Sequence, residues 1–352
     1  MTDVLGVGLV GCGRIAPMHV KAVAQTAGVD VRAVCDIVAD RARRVGAELG
    51  VPWFADYRQL LERPEVDLVA LCTPNHLHAP MAWQALDAGK HAVVEKPIAF
   101  SAQEAVDLGA AYERAGLGLF CVLQVRFNPA VRAVKRIIDG GDLGAIRLAS
   151  LAQRWNRRAE YFAGPDAWHG VKALEGGSLY TQGVHYIDLL AQLAGPVEEI
   201  SAEIGTLAHD IETEDAVVAT LRYASGAFGA LEFSLDAYDR NIEASITLLA
   251  DGGNIVIGGT AANDIALWNV ASHEAPRGLT VVSPNDYGGA YMGSPPNHAE
   301  IYRNVAACLI EKSEPVAVSS FSAAESIRII EAIYASAAAK RPVRVDGLGA
   351  LP

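Results

Sequence analysis

Gly11-Cys12-Gly13-Arg14-Ile15-Ala16 is the stretch whose reading decides the fold. It closes a short apolar run, Val4 to Val10, that reads as a buried strand. Gly11 permits a tight turn, Gly13 lets the backbone approach a pyrophosphate, and Ala16 is small enough for close helix–strand packing. Free amides from Gly11 to Ile15, Gly13 and Arg14 among them, are expected to face the phosphates. Pro17 falls in the first turn of the next helix, where its missing N–H is not needed. A second strand, Val29 to Cys35, ends at Asp36, twenty residues after Ala16. A carboxylate there accepts hydrogen bonds from the ribose hydroxyls of NAD and repels a 2′-phosphate. NAD is therefore the expected cofactor and NADP the less favoured one. Arg41, Arg43 and Arg44, which could favour NADP, read as a solvated helix face.

Outward from this unit the pattern repeats. Asp67 to Cys72 reads as a strand ending in Thr73-Pro74-Asn75-His76-Leu77-His78, with a helix over Leu77 to Ala88. Lys90 to Val94, the fourth expected strand, runs into Glu95-Lys96-Pro97. Ser101 is the expected cap of a helix to Ala115, with Glu104 completing a capping box. Gly118 to Val125 is the next strand and closes with Gln124. Alternating strands and helices imply a parallel sheet with right-handed crossovers, whose ligand lies at the carboxyl ends of the strands. Those ends carry Gly11 to Gly13, Asp36, Thr73 to Asn75, Glu95, Lys96 and Gln124, with His78 beside them. All are expected cofactor contacts, and Lys96 is also the expected catalytic group. His76 and His78 are two residues apart with no third ligand nearby, so no metal is assigned.

The chain has 352 residues, half of them hydrophobic and a fifth charged, which suits two globular domains. The division is expected at residues 127 and 128. A formal charge of −12 argues against nucleic acid or an anionic membrane as partner. Five cysteines without CxxC spacing argue against a disulfide framework or a zinc site and suit a reducing compartment. MTDVLGVGLVG shows no basic n-region or cleavage site, and no apolar run approaches a membrane span, so the expected location is cytoplasmic.

Past Asn128 the pattern changes. Helix Pro129 to Asp139 leads into strand Ala145 to Arg154, then a polar aromatic stretch from Trp155 to Gly170 containing Arg157, Arg158, Tyr161, Trp168 and His169. A helix carrying Leu179 to Leu193 follows, on which Thr181, His185 and Asp188 share a face. Runs Val197–Ile204, Glu214–Tyr223, Ala227–Leu235, Ala244–Leu249, Asn254–Ile257 and Ile265–Asn269 read as an open, largely antiparallel sheet with helices on one face. Helices Asn297 to Glu311 and Ser322 to Ala339 end the chain, the last expected to pack back on one of the domains. The long loop from Ser272 to Pro296 is rich in Gly, Pro and Tyr.

Taken together, Gly11-Cys12-Gly13-Arg14-Ile15-Ala16, Thr73-Pro74-Asn75-His76-Leu77-His78, Glu95-Lys96-Pro97, and Gly176-Gly177 followed by His185-Tyr186-Ile187-Asp188 resemble the Gfo/Idh/MocA oxidoreductases over essentially the whole chain. The resemblance implies an α/β protein: an N-terminal Rossmann domain and a C-terminal α+β domain whose open sheet mediates homodimers or homotetramers. It also places Lys96 and His185 beside the nicotinamide and implies an NAD-dependent dehydrogenase acting on CH–OH groups. Inositol-dehydrogenase-like members carry aspartate four residues before the histidine; here that position is Thr181, which positions substrate but cannot act as a carboxylate base. Proton removal would fall on His185 or on Lys96, the latter with its pKa lowered by desolvation. A subgroup that oxidises C3 of UDP-N-acetylglucosaminuronic acid also lacks that aspartate. It resembles this chain at Thr73 to His78, Leu123-Gln124-Val125-Arg126 and Gln182 to Leu190. Arg126, Arg154, Arg157 and Arg158 would then meet a uronate or pyrophosphate, and Tyr161 and Trp168 would stack on sugar, uracil or nicotinamide. A free sugar, inositol or glycoside is the alternative substrate, and a non-catalytic NAD-binding regulator the alternative function.

Overall fold

The computed structural model describes residues 4–164, 167–287 and 291–345. Parts of the polar aromatic stretch (165–166) and of the long loop (288–290) lie outside the described residues. The first elements alternate: β1 (Leu5–Val10), α1 (Ala16–Ala24), β2 (Val29–Cys35), α2 (Ala39–Leu49), β3 (Trp53–Phe54), α3 (Tyr57–Leu61), β4 (Leu68–Leu71), α4 (His78–Asp87), β5 (His91–Val94), α5 (Ala102–Ala115) and β6 (Leu119–Cys121). Six parallel strands lie in the order β3-β2-β1-β4-β5-β6. β1, β4, β5 and β6 are buried along nearly their whole length, as the continuous apolar runs require of a sheet covered on both faces.

Register fixes what this sheet presents. Val10 pairs with Cys35 on one side and Leu71 on the other, Leu71 pairs with Val94, and Val94 with Cys121. The strands therefore end level, and the residues after them (Gly11, Asp36, Thr73, Glu95 and Lys96) emerge along one edge. Strand order reverses between β1 and β4, the switch point where such sheets bind ligands. At the usual strand spacing, β2 and β5 lie about 14 Å apart across this edge, a span suited to an extended dinucleotide.

Two local expectations change. Trp53–Phe54 pairs with Val34 and Cys35 as a strand, and Tyr57–Leu61 is helical. A two-residue strand and a five-residue helix are too short to show a period, so the sequence missed both, and Glu95-Lys96-Pro97 follows the fifth strand rather than the fourth. Ser101 holds the extended N-cap conformation but makes no side-chain bond to the helix, so the capping box does not form. Glu104 is half-buried instead, where burial and the Asp107 charge push its carboxyl upward.

The second region contains α6 (Pro129–Asp139), β7 (Ile146–Arg154), α7 (Ala159–Phe162), α8 (Lys172–Glu175), a π-helical turn (Leu179–Gly183) running into α9 (Val184–Ala194), then β8 (Val197–Gly205), β9 (Ala216–Tyr223), β10 (Phe228–Ser234), β11 (Glu243–Ala250), β12 (Gly253–Gly258) and β13 (Asp264–Val270). α10 (His298–Ala306), a second π-helical turn (Ala307–Glu311), α11 (Ser320–Ala339) and β14 (Val343–Arg344) complete the chain. Eight strands form the sheet β13-β12-β11-β7-β10-β9-β8-β14, antiparallel except where β10 runs parallel to β7. Alternate residues such as Leu151, Phe233, Ile246 and Leu248 are buried, and α9 packs against β7 and β11. The other face stays open, with Val218 56% and Phe228 58% exposed and Leu148 and Leu249 beside them.

Contacts divide the chain into two compact units. Met1–Leu123 and Asn297–Ala324 make the first, Gln124–Pro296 and Glu325–Pro352 the second. The chain thus returns to its first unit, where α10 packs on α1, whereas the expected division was single. Periodicity in Asn297 to Glu311 carries no sign of which core the helix serves.

Gly11 has φ +93°, and a Cβ there would lie 2.6 Å from the Cys72 carbonyl oxygen. Gly11→Ala is expected to destabilise the first unit by about 1–3 kcal/mol, read as a lowered urea midpoint. An unchanged midpoint would contradict this packing.

Candidate active site

At the level edge of the parallel sheet, the glycine loop and Asp36 hold one another. Asp36 Oδ2 accepts the Cys12 amide at 2.8 Å and Oδ1 accepts the Val38 amide at 2.8 Å. Each carboxylate oxygen keeps a further lone pair, enough for a vicinal diol. Gly13 is exposed and an added Cβ would meet nothing within 4 Å, so its glycine is required by nothing inside the protein. A glycine there leaves room for a closely approaching phosphate. Arg14 is exposed and Ile15 is the N-cap of α1, which places both amides at the helix start. The buried Thr73 Oγ1 has no hydrogen-bond partner among the described residues. These features fit a dinucleotide. Arg43 pairs with Asp40 at 3.1 Å and Arg44 with Glu48 at 3.1 Å, both on the exposed face of α2. Burial, then the charge of Asp36, pushes the Cys12 thiol up to about 12, which makes it inert filling.

Beneath Lys96 lies a buried hydrogen-bond relay that the sequence reading did not anticipate. Glu95 Oε1 faces His19 Nε2 at 3.0 Å and His298 Nε2 at 3.3 Å, while Oε2 accepts the Lys96 amide at 3.2 Å. His19 Nδ1 lies 2.8 Å from the Tyr302 hydroxyl. Burial pushes His19 below its usual pKa, so its neutral ring donates from Nε2 to Glu95 and accepts the Tyr302 O–H at Nδ1. Burial alone would raise the Glu95 carboxyl, but the hydrogen bonds from His19 and His298 outweigh it and hold the group well below its ordinary range. The Glu95 side chain is therefore an internal tie behind the lysine.

His78, expected beside the cofactor, is also tied inside the protein. It is 1% exposed, with Nδ1 2.7 Å from the Pro97 carbonyl and Nε2 2.8 Å from that of Thr73. Its ring lies between two strand-end loops, with each nitrogen facing a backbone carbonyl. Two N–H donors at once need the imidazolium, and burial holds the pKa below its usual value. At neutral pH one of the two bonds is made at a time. Asn75 is also buried, in the short helical turn Asn75–Leu77, and Lys96 is half-buried just before a cis Lys96–Pro97 peptide.

In the second unit the GG motif explains itself. Gly176 and Gly177 have φ +82° and +144°, and a Cβ on Gly177 would sit 1.9 Å from the Tyr334 hydroxyl. The turn feeds Thr181 and His185, both 4% exposed, onto the π-helical turn and the start of α9. Gln182 spans the two neighbouring groups: its Oε1 accepts Arg157 Nη2 at 2.7 Å and its Nε2 donates to the Tyr161 hydroxyl. Arg157 is 1% exposed and boxed by the rings of Trp155, Tyr161 and Tyr291 at 4.8, 5.4 and 4.8 Å. Arg126 forms a bidentate pair with Asp188 at 2.6 and 2.5 Å. Both arginines were expected to meet substrate; their guanidinium forks are instead committed inside the protein. Arg154 is held by Glu232 and Glu243 on the open sheet face, and Arg158 faces Asp239 at 3.4 Å. Trp168 is half-buried and packs 3.8 Å from the His169 ring, and Gln124 lies buried in the helical turn Gln124–Phe127.

The groups that sequence reading overlooked are His19, His298, Tyr302 and Glu175. His19 carried a faint signal, a polar residue on the buried side of a helix whose Ala16, Ala22 and Val23 are apolar. His298 and Tyr302 come from the far end of the chain, beyond the reach of any local pattern.

Residues 5–122 match the profile of the oxidoreductase family with NAD-binding Rossmann fold, and residues 131–260 that of the GFO/IDH/MocA C-terminal domain. The structure is similar to the WlbA dehydrogenase from Bordetella pertussis solved with NADH and UDP-GlcNAcA: 32% identity, 99% of each chain covered, TM-score 0.86. It is likewise similar to the WlbA enzyme from Chromobacterium violaceum, solved with the same two ligands (31% identity, 100% and 98% covered, TM-score 0.87). A levoglucosan dehydrogenase from Pseudarthrobacter phenanthrenivorans is 26% identical over 79% of this chain and 80% of its own.

The Glu95 relay has a definite pH signature. Its folded pKa is depressed, so its contribution is complete above the ordinary carboxyl range, about 4.3, and is lost as pH falls through the folded value. Glu95→Gln is expected to cost roughly 2–3 kcal/mol at pH 7, with the gap to wild type closing as pH falls below about 4. A gap independent of pH in thermal unfolding would contradict the relay.

Proposed function

The chain belongs to the Gfo/Idh/MocA oxidoreductase family, and from that premise we propose that it is an NAD-dependent dehydrogenase of a nucleotide-linked sugar, oxidising a secondary alcohol at C3 of a UDP-N-acetylglucosaminuronate-like substrate. The observation that carries the reading is the level row of strand ends: glycine loop, Asp36, Thr73 and Lys96 across adjacent parallel strands. Full-length similarity to enzymes solved with NADH and UDP-GlcNAcA supports the substrate class. Bound NAD would supply the hydride acceptor. Asp36 takes the ribose hydroxyls, the amides from Gly11 to Ile15 hold the pyrophosphate, and Thr73, Asn75, Gln124 and Trp168 are the remaining cofactor contacts. Lys96 and His185 share the work of removing the hydroxyl proton. Thr181 and Tyr161 position the sugar, while Arg126 and Arg157 act by holding Asp188 and Gln182 in place. A second copy of the chain covers the open sheet face, whose exposed Val218 and Phe228 support an isologous contact.

NADH formation with a panel of sugars tests this. A UDP-linked amino-sugar uronate is expected to reduce NAD, and Lys96→Ala to lower kcat by about 100-fold or more. Turnover of free sugars alone would favour a levoglucosan- or inositol-type activity. NAD binding without reduction by any sugar would point to a non-catalytic regulator.

A further inference from the structure

The reaction face lacks a carboxylate at position 181, yet the structure delivers one to it from another element. Glu175, the last residue of α8, is 1% exposed. Its carboxyl hydrogen-bonds with the Thr181 hydroxyl. Oε2 also accepts the Gly170 amide at 2.6 Å and the Thr213 hydroxyl at 3.3 Å. All three of these partners are neutral. Thr181 lies in a π-helical turn that joins α9 four residues before His185. π-turns of this kind recur at functional sites, and residues four apart are neighbours on a helix surface.

We propose that Glu175 is the proton-holding carboxyl of the His185 face, a positioning residue that acts through the Thr181 hydroxyl; the proposal rests on the dehydrogenase reading. In alcohol oxidation the carbinol hydrogen leaves with both bonding electrons and the hydroxyl hydrogen leaves as a proton. That proton passes to the site base. Thr181 Oγ1 then takes a proton from the base while giving its own to the Glu175 carboxylate. The threonine is unchanged, the base is free again, and Glu175 ends neutral until the proton returns to solvent.

The surroundings suit a carboxyl that gains and loses a proton near neutrality. Burial pushes Glu175 up to about 7, against its hydrogen bonds from Gly170, Thr181 and Thr213, with the charge of Glu214 adding to the rise. Other ionisable groups face this cluster. Glu214, entering β9, accepts the Leu179 amide at 2.8 Å and the Tyr334 hydroxyl of α11 at 2.7 Å. Lys172 of α8 sits 4.2 Å over the Tyr334 ring, and Tyr180 lies beside Tyr334 at 6.0 Å. Glu214 is thus tied to a phenol and a backbone amide, and Glu175 is the carboxyl that reaches Thr181.

Two readouts test the proposal. In infrared difference titration of the free enzyme, a protonated-carboxyl band is expected to titrate near neutral pH. It should be absent in Glu175→Gln and should shift to higher pH in Thr181→Val, which removes a hydrogen bond favouring the anion. With the turned-over sugar, kcat of wild type is expected to rise with pH through the same ionisation. Glu175→Gln and Thr181→Val should lose that limb and fall roughly 10- to 100-fold, and Thr181→Ser should restore it. An unchanged limb in both variants, or a band that ignores Thr181→Val, overturns the proposal. Thr181→Val leaves Glu175 in place, so the test survives if Glu175→Gln fails to fold. Absence of turnover in the wild type would sink the dehydrogenase reading instead, and the infrared arm still decides whether Glu175 answers to Thr181.

Discussion

One buried carboxylate governs the first unit. Glu95 is joined to His19 on the helix that follows the glycine loop, to His298 on α10, and to the backbone of Lys96. Its ionised state is kept by hydrogen bonds against burial, so geometry and charge depend on one another here. The loop proposed to hold pyrophosphate and the lysine proposed to work on a hydroxyl therefore share a common anchor. His78 sits between the Thr73 and Pro97 carbonyls and donates to one of them at a time. Neither residue needs to touch a ligand to matter.

What was legible in the sequence follows from how local each signal is. The strand–glycine–helix unit ending at Asp36 needs only adjacent residues, and Val29–Cys35 and Pro129–Asp139 form over the very spans their patterns indicated. The aligned strand ends followed from parallel topology alone. The Glu95 relay was illegible because His298 and Tyr302 lie some two hundred residues away in sequence. The return of α10 to the first unit was hidden for the same reason.

Arginine was the least readable residue type. Its chemistry suits a uronate or a diphosphate, yet composition cannot tell an anion in a ligand from one in the protein. Arg126 found Asp188, Arg154 found Glu232 and Glu243, and Arg157 found Gln182 and three aromatic rings. The Thr181 gap shows the converse. A missing carboxylate in the motif directed attention to the lysine and histidine, while Glu175 stood six residues earlier in plain view. Only the fold shows that its carboxyl turns back to the threonine.

The most direct measurement follows the hydrogen. The proposed nucleotide-linked sugar, carrying deuterium on the carbinol carbon, is incubated with the enzyme and NAD, and the reduced cofactor is examined by mass spectrometry. One deuterium on the nicotinamide ring, lost together with turnover in Lys96→Ala, is the expected result. Unlabelled NADH, or turnover undiminished without the lysine, would contradict hydride transfer at the edge that Lys96 occupies.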